Sequence, residues 1–237
     1  MSGPLSGSTA VVTGASRGIG RAIALRLGQA GAEVAIWARD GAALGDVAAE
    51  ITQAGGRAHP FVVDVTESAS IERAADAMRA QLPPVRTLVN NAGAVLRKWT
   101  VAITEVEWRR VMATNLDGTF LVTRTFLPDL SRGGGRIINI ASRSGREGTA
   151  MLAAYCAAKH GVVGFTRALA EELRAAKVSV NAICPGSVDT AMLKEGLPGV
   201  KPDMTPDDIA STAMYLALPP PLGAPDALTG TCIDVYG

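Results

Sequence analysis

Two periodicities take turns along this chain. Short runs of β-branched and apolar residues alternate with longer stretches whose apolar positions recur every three to four residues, the pattern of strands alternating with amphipathic helices. Runs at 9–13, 33–37, 59–65, 85–90, 136–140, 178–183 and 231–235 predict seven strands. Helical spacing runs through 21–30, 41–54, a segment from Ile71 through Ala75 and Met78 to Leu82, then 108–130, 151–176 and 207–218. The stretch 108–130 carries a polar insertion, Thr114-Asn115. Punctuation residues agree with these elements. Gly31 closes the first helix, Asp40 stands at the N-cap of the second, and Thr66 or Ser68 caps the third. Gly133-Gly134-Gly135 breaks the chain before the fifth strand, and Thr205-Pro206 supplies a cap and an N1 proline for the last helix. Strands and helices in strict alternation need a mostly parallel sheet covered on both faces, so the expected class is α/β, doubly wound.

Composition narrows the picture further. The 237 residues fit a single domain with a sizeable core, and 48 % apolar against 19 % charged residues describe a compact chain. The proline-rich stretch 219–225 leaves only one strand after it, so it reads as a surface loop and not a boundary. A net charge of +1, from 23 basic and 22 acidic residues, gives no field to attract nucleic acid or an anionic membrane. Three separated cysteines, Cys156, Cys184 and Cys232, and two histidines, His59 and His160, form no metal-ligand spacing. The expectation is a reducing, cytoplasmic setting without a structural metal. Residues 1–8 lack a basic segment and an apolar run, and no stretch of about 18 apolar residues follows, so neither secretion nor membrane spanning is expected.

Candidate chemistry sits at the strand ends. Gly14-Ala15-Ser16-Arg17-Gly18-Ile19-Gly20 lies between the first strand and the first helix. Glycines there let the backbone turn tightly and approach a pyrophosphate, and the helix N-terminus offers unpaired N–H groups. The second strand ends in Ala38-Arg39 where NAD sites place an acidic side chain on the ribose. Arg39, with Arg17 from the glycine turn, suits the 2′-phosphate of NADP; Asp40 is the competing ribose ligand, although it is more simply the helix N-cap. Tyr155 and Lys159 stand four apart on one helix, so a phenol and an ammonium share a face. A cation that close favours the phenolate and moves the tyrosine toward acid/base work near neutral pH. Ser142 ends the fifth strand in Ala141-Ser142-Arg143-Ser144-Gly145, which is not the nucleophile elbow of a serine hydrolase. Cys156 is rotated about 100° from Tyr155 and reads as a packing residue.

Together these residues resemble the short-chain dehydrogenase/reductase family in its single-domain branch, most closely the 3-oxoacyl-(acyl carrier protein) reductase-like members. The resemblance runs from Thr13-Gly14-x-x-x-Gly18-Ile19-Gly20 through Asp64-Val65, Asn90-Asn91-Ala92-Gly93, Asn115, Ser142 and Tyr155-x-x-x-Lys159 to Pro185-Gly186, Val188 and Thr190. It implies a Rossmann-type sheet over residues 1–237 and an NADP(H)-dependent oxidoreductase acting on a small carbonyl or alcohol. Tyr155 is then the general acid/base, Lys159 lowers its pKa and binds the nicotinamide ribose, and Ser142 holds the substrate oxygen. Asn115 keeps a helix open around a proton-relaying water. Gly14, Ser16, Arg17, Gly18, Ile19, Gly20 and Arg39 hold the phosphates. Asp64 and Val65 flank the adenine, Asn91, Ala92 and Gly93 line the adenosine ribose side, and Pro185, Gly186, Val188 and Thr190 position the nicotinamide.

For the substrate, the walls are expected from 95–99, 143–151 and 187–197. These combine apolar Leu96, Trp99, Met151, Met192 and Leu193 with cationic Arg97, Lys98, Arg143 and Arg146. Either a cationic rim over an apolar slot or ordinary solvated arginines fits this pattern. The short segment 193–203 and the brief C-terminus predict a rather open site. A non-catalytic NADP(H)-binding regulatory or assembly protein is the alternative reading. Helices 108–130 and 151–176 carry more apolar surface than one sheet face needs, which points to a homo-oligomer, a dimer or tetramer.

Overall fold

Residues 3–237 of the computed structural model are described. Seven parallel strands form one sheet: β1 (Thr9–Thr13), β2 (Glu33–Ala38), β3 (Arg57–Val62), β4 (Val85–Asn90), β5 (Gly135–Ile140), β6 (Val178–Pro185) and β7 (Cys232–Val235). Their order is β3-β2-β1-β4-β5-β6-β7. The chain therefore reverses its direction of winding between β1 and β4, and in such sheets ligands bind in the crevice beyond the carboxyl ends at that point.

Side-chain alternation along each strand divides the core into two layers. Ala10 and Val12 of β1 face a cluster with Ile23 and Leu27 of α1 (Gly18–Gln29), Leu44 and Ile51 of α2 (Gly41–Gln53), and Ile209 and Leu216 of a C-terminal helix (Pro206–Ala217). Val11 points the other way, toward Ile71 and Met78 of α3 (Ser68–Arg79). Phe126 and Leu130 from the helix before β5 complete that second layer. Trp37 and Phe126 meet there with ring centroids 5.5 Å apart, both fully buried. Each such side chain contributes roughly 1.5–3 kcal/mol of transfer free energy, so the two layers fix where the strand ends stand.

The long helical stretch expected at 108–130 is three pieces. It starts earlier, at α4 (Glu105–Met112), because Thr104 and Glu107 form a reciprocal capping box. A π turn, Ala113–Asp117, then separates α4 from α5 (Gly118–Ser131). Asn115 causes the widening: its Nδ2 donates to Val111 O at 2.8 Å and to Ala94 O at 2.8 Å, so a side chain takes over a carbonyl that the helix backbone would use. β3 begins and ends earlier than the predicted 59–65. After Val63 donates to Ala38 O, the Asp64 carboxylate turns back on Thr66 N at 2.9 Å and Thr66 Oγ1 at 2.7 Å. Thr66 is thus spent in that turn, and Glu67 stands at the N-cap of α3 without a side-chain bond. α6 (Ala153–Glu172) follows β5, and a short helix, α7 (Ala191–Gly196), precedes the C-terminal helix α8 (Pro206–Ala217). Asp40 caps α2 through Ala43 N at 3.1 Å, and Thr205 caps α8, as their sequences predict. No described helix is long and apolar enough to cross a membrane.

Candidate active site

The carboxyl ends of β1, β2, β4, β5 and β6 open into one cleft of about 890 Å³. Its first floor is the glycine turn. Gly14 has φ +64, and a Cβ there would stand 2.9 Å from Ala92 Cα and from Asn91 Nδ2, so only glycine lets β1 and β4 close to this distance. Asn91 Nδ2 donates to Thr13 O at 2.9 Å and Gly14 O at 3.1 Å, while Thr13 Oγ1 accepts from Asn91 N and Ala92 N. These bonds staple the two strand ends across the reversal point. Gly20 serves the same approach from α1, since its Cβ would lie 2.4 Å from Asn91 Nδ2, and it does not line the cleft.

α1 starts directly over this floor. Its N-cap is Arg17, which makes no side-chain cap, and its first turn carries no acidic residue. The first N–H groups and the positive end of the helix therefore face the cleft, a ready seat for an anion. Arg17 and Arg39 both line the cleft and are paired with no carboxylate among the described residues. Burial pushes the Asp64 carboxyl up, but hydrogen bonds from Thr66 and, at longer range, the charge of Arg39 bring it below its ordinary value. Asp40 is occupied by its cap bond.

At the other end stand the groups of β5 and α6. Tyr155 and Lys159 are both buried, one turn apart. Lys159 Nζ donates to Ile140 O at 2.8 Å and lies 5.7 Å from the centroid of the Tyr155 ring. Burial pushes the Tyr155 phenol up to about 12, and a hydrogen bond with the Ser142 hydroxyl pulls it partway back. Burial pulls the Lys159 ammonium down to about 8. The lowering of the tyrosine expected from Lys159 is not found: desolvation of the phenolate raises the phenol, and the ammonium is committed to Ile140 O. Ser142 Oγ also accepts from Ser144 N at 3.1 Å, which fixes the turn that presents it.

The cleft gathers Gly14, Ser16, Arg17, Gly18, Ile19, Arg39, Asp64, Val65, Asn91, Ala92, Gly93, Ser142, Tyr155, Lys159, Pro185, Gly186, Val188 and Thr190. Asn115 is fully buried behind it, bonded to the backbone of Ala94. Cys156 is buried in an apolar cluster with Val95, Val111 and Leu152, and His160 Nδ1 is bonded to Cys156 O, so neither reaches the cleft. The hydrogen-bonding role of Thr13, the Ile140 carbonyl and the helical form of α7 are what the sequence leaves unread. Thr13 carried a signal as the residue before Gly14, whereas the carbonyl of Ile140 carried none.

The substrate end differs from its expected form. Lys98 is bound to Glu107 at 2.8 Å and holds that carboxyl down to about 2. Arg143 pairs with Glu147 at 3.0 Å and lies over the Tyr236 ring, and Arg146 pairs with Asp234 at 3.3 Å. None of these, nor Arg97, lines the cleft, so the cationic rim is not built. One wall of the site is α7, capped by Thr190 Oγ1 on Leu193 N, which with the Leu197 that follows it packs Met192 and Leu197 against Tyr155, Val95 and Leu152.

Comparison with known proteins agrees with this geometry. The sequence profile described as short chain dehydrogenase matches residues 8–199. A candidate ketoacyl reductase of Streptomyces coelicolor is 44 % identical over 186 residues, covering 77 % of this chain and 71 % of the relative. The 3-oxoacyl-[acyl-carrier-protein] reductase FabG of Chlamydia trachomatis is 35 % identical, covering 92 % of each chain. Among solved structures, a single-substitution variant of the actinorhodin polyketide ketoreductase with NADPH superposes with a TM-score of 0.91 at 36 % identity, covering 100 % of this chain and 98 % of that one. With the sheet order, the glycine turn and the buried tyrosine–lysine pair in one cleft, these similarities place the chain in the short-chain dehydrogenase family, as an oxidoreductase.

Proposed function

We propose that the chain is an NADP(H)-dependent oxidoreductase that interconverts a ketone and a secondary alcohol, with residues 1–237 forming one catalytic domain. The observation that carries this reading is a buried tyrosine hydroxyl in the same cleft as Ser142, Lys159 and two uncommitted arginines, Arg17 at the glycine turn and Arg39 after β2. The residues fit a dinucleotide: Gly14 lets the ends of β1 and β4 close under the turn, the N-terminus of α1 is uncapped, and Arg17 and Arg39 supply planar cations for a phosphate. When bound, the cofactor supplies or accepts the hydride.

The chain's own residues handle the proton. In reduction, the hydroxyls of Ser142 and Tyr155 converge on one carbonyl oxygen, and Tyr155 gives it a proton as negative charge develops. With its pKa near 12, the phenol stays protonated at neutral pH, the state that reduction needs. Lys159, one turn along α6, offsets the charge left on the phenolate. In alcohol oxidation the same atoms run in reverse. Asn115 holds the π turn beside α6 open, and Lys159 Nζ on the same helix donates to Ile140 O. A protein that only binds NADP(H) has no need of this buried acid. Purified protein given NADPH and a panel of ketones tests the reading: consumption of NADPH with formation of the alcohol supports it, and tight NADPH binding without turnover of any ketone favours the binder.

Self-association through α4, α5 and α6 is the accompanying proposal, giving a homodimer or homotetramer. Val106, Trp108 and Phe120 are exposed on α4 and α5, and Phe120 meets Phe165 of α6 edge-on. Light scattering of the wild type and of Phe120→Asp checks it; a monomeric wild type would contradict it. The free cysteines and the absence of a membrane-crossing helix among the described residues are compatible with the cytoplasmic location proposed for the enzyme.

A further inference from the structure

Helix α7 brings one side chain onto the reacting hydroxyl that the proton chemistry above does not use. Met192 is half-buried, and its Sδ accepts from the Tyr155 hydroxyl at 3.9 Å. Its Cε reaches the strand end of β4, 3.7 Å from the position of a Cβ on Gly93. Val95, Leu152 and Leu197 pack in the same apolar cluster around Tyr155. α7 cannot slide away as a rigid piece without losing its seat, because Gly196 sits so close to Val95 that a Cβ would lie 2.9 Å from Val95 Cγ2. The methionine can move alone, having three rotatable side-chain bonds.

A thioether is a weak acceptor, whereas a ketone oxygen is a good one. An oxygen that arrives at Tyr155 takes the hydrogen bond over, and the sulfur has to swing aside. Of the cations on α7 and against it, Lys194 lines the cleft but is exposed and paired with Asp189 at 3.3 Å, and Arg97, which donates to Gly196 O at 3.5 Å, does not line the cleft. A charged substituent would therefore enter the space beside Met192 without a buried partner, at the cost of its hydration.

We propose that Met192 is the specificity-determining residue of the substrate end: it occupies the Tyr155 hydroxyl until a ketone oxygen replaces it, and the apolar space it shares with Val95, Leu152 and Leu197 receives the larger, uncharged substituent of that ketone. This rests on the ketone–alcohol reading above. It names both a substrate class, ketones with one bulky apolar arm, and the side chain that sets how bulky the arm can be.

Two measurements test it. The first compares wild type, Met192→Ala and Met192→Phe with NADPH and a homologous series of uncharged alkyl and aryl ketones, reading the ratio of kcat/KM for the bulkiest ketone to that for the smallest. Met192→Ala should raise this ratio about tenfold and Met192→Phe should lower it by a similar factor, the range that one or a few methylene volumes command in an apolar pocket. The ratio is internal to each variant, so a general loss of active protein cancels; a ratio unmoved in both variants overturns the proposal. The second uses protein labelled with ¹³C at the methionine methyls, without ketone or NADPH. The Met192 resonance, identified among the seven methionines by its loss in Met192→Ala, should shift in Tyr155→Phe. An unmoved resonance overturns the contact itself. Wild-type protein that turned over no ketone would overturn the ketone reading and Met192's part in specificity with it, while the methyl shift would still report on the contact separately.

Discussion

The two ends of the cleft are built on different principles. At the β1–β2 end the surface is preset by backbone: a turn that only glycine can make at Gly14, strand ends stapled by Thr13 and Asn91, a helix N-terminus, and arginines held free of carboxylates. At the β5–β6 end the surface is made of side chains: a buried phenol and ammonium, a serine, and an apolar wall from a short helix with a flexible methionine on the reacting hydroxyl. In the function proposed, the first end holds the cofactor and the second admits and releases the substrate. Rigid backbone serves the former, and adaptable packing serves the latter.

If the cofactor end reads charge, then Arg39→Asp should separate the two nicotinamide cofactors. The loss of a charge-assisted hydrogen bond and the gain of a repulsive carboxylate amount to about 3 kcal/mol, or about a hundredfold in kcat/KM for NADPH, with NADH far less affected. Steady-state kinetics with both cofactors checks this, and an equal loss for both would show that Arg39 does not face the phosphate. Met192 substitutions belong to the opposite end and should leave that NADPH-to-NADH ratio alone.

A smaller effect sharpens the comparison from the catalytic side. Burial lowers Lys159 to about 8 and raises Tyr155 to about 12, so the ammonium is the first of the pair to lose its proton as pH rises. Below pH 8 both groups are protonated and reduction is at its plateau. Above it the cation that offsets the developing phenolate is lost, and kcat/KM for ketone reduction should fall about tenfold per pH unit. A pH profile flat to about pH 10 would mean that Lys159 stays charged throughout or is not needed in charged form.

Legibility in the sequence followed the same division. The strands, the glycine turn, the Asp40 and Thr205-Pro206 caps and the tyrosine–lysine spacing depend on neighbours within a few residues, and their patterns could be read directly. The opened helix at Asn115 is implied by the family resemblance alone, because no local pattern shows that Asn115 is held by the backbone of Ala94, 21 residues away. The early start of α4 was signalled by Thr104-x-x-Glu107, but its first turn has an exposed Val106 in place of an apolar stripe, so periodicity alone starts the helix too late. The choice between a cationic rim and ordinary surface cations stays open in the sequence for a related reason: which lysine or arginine is free depends on where Glu107, Glu147 and Asp234 fold back, and composition does not say. Residues 191–196 form a helix too short for periodicity to mark, so the sequence places a pocket wall at 187–197 without showing that part of it is helical.

In the mechanism proposed, one buried phenol, Tyr155, moves the proton in this cleft. Tyr155→Phe keeps the ring and its packing and removes only the hydroxyl, so the fold and NADPH binding should persist. With NADPH and a ketone that the wild type reduces, kcat should fall by roughly 10²–10⁴. A Tyr155→Phe protein that still binds NADPH and reduces that ketone within about twofold of the wild-type rate would contradict the account.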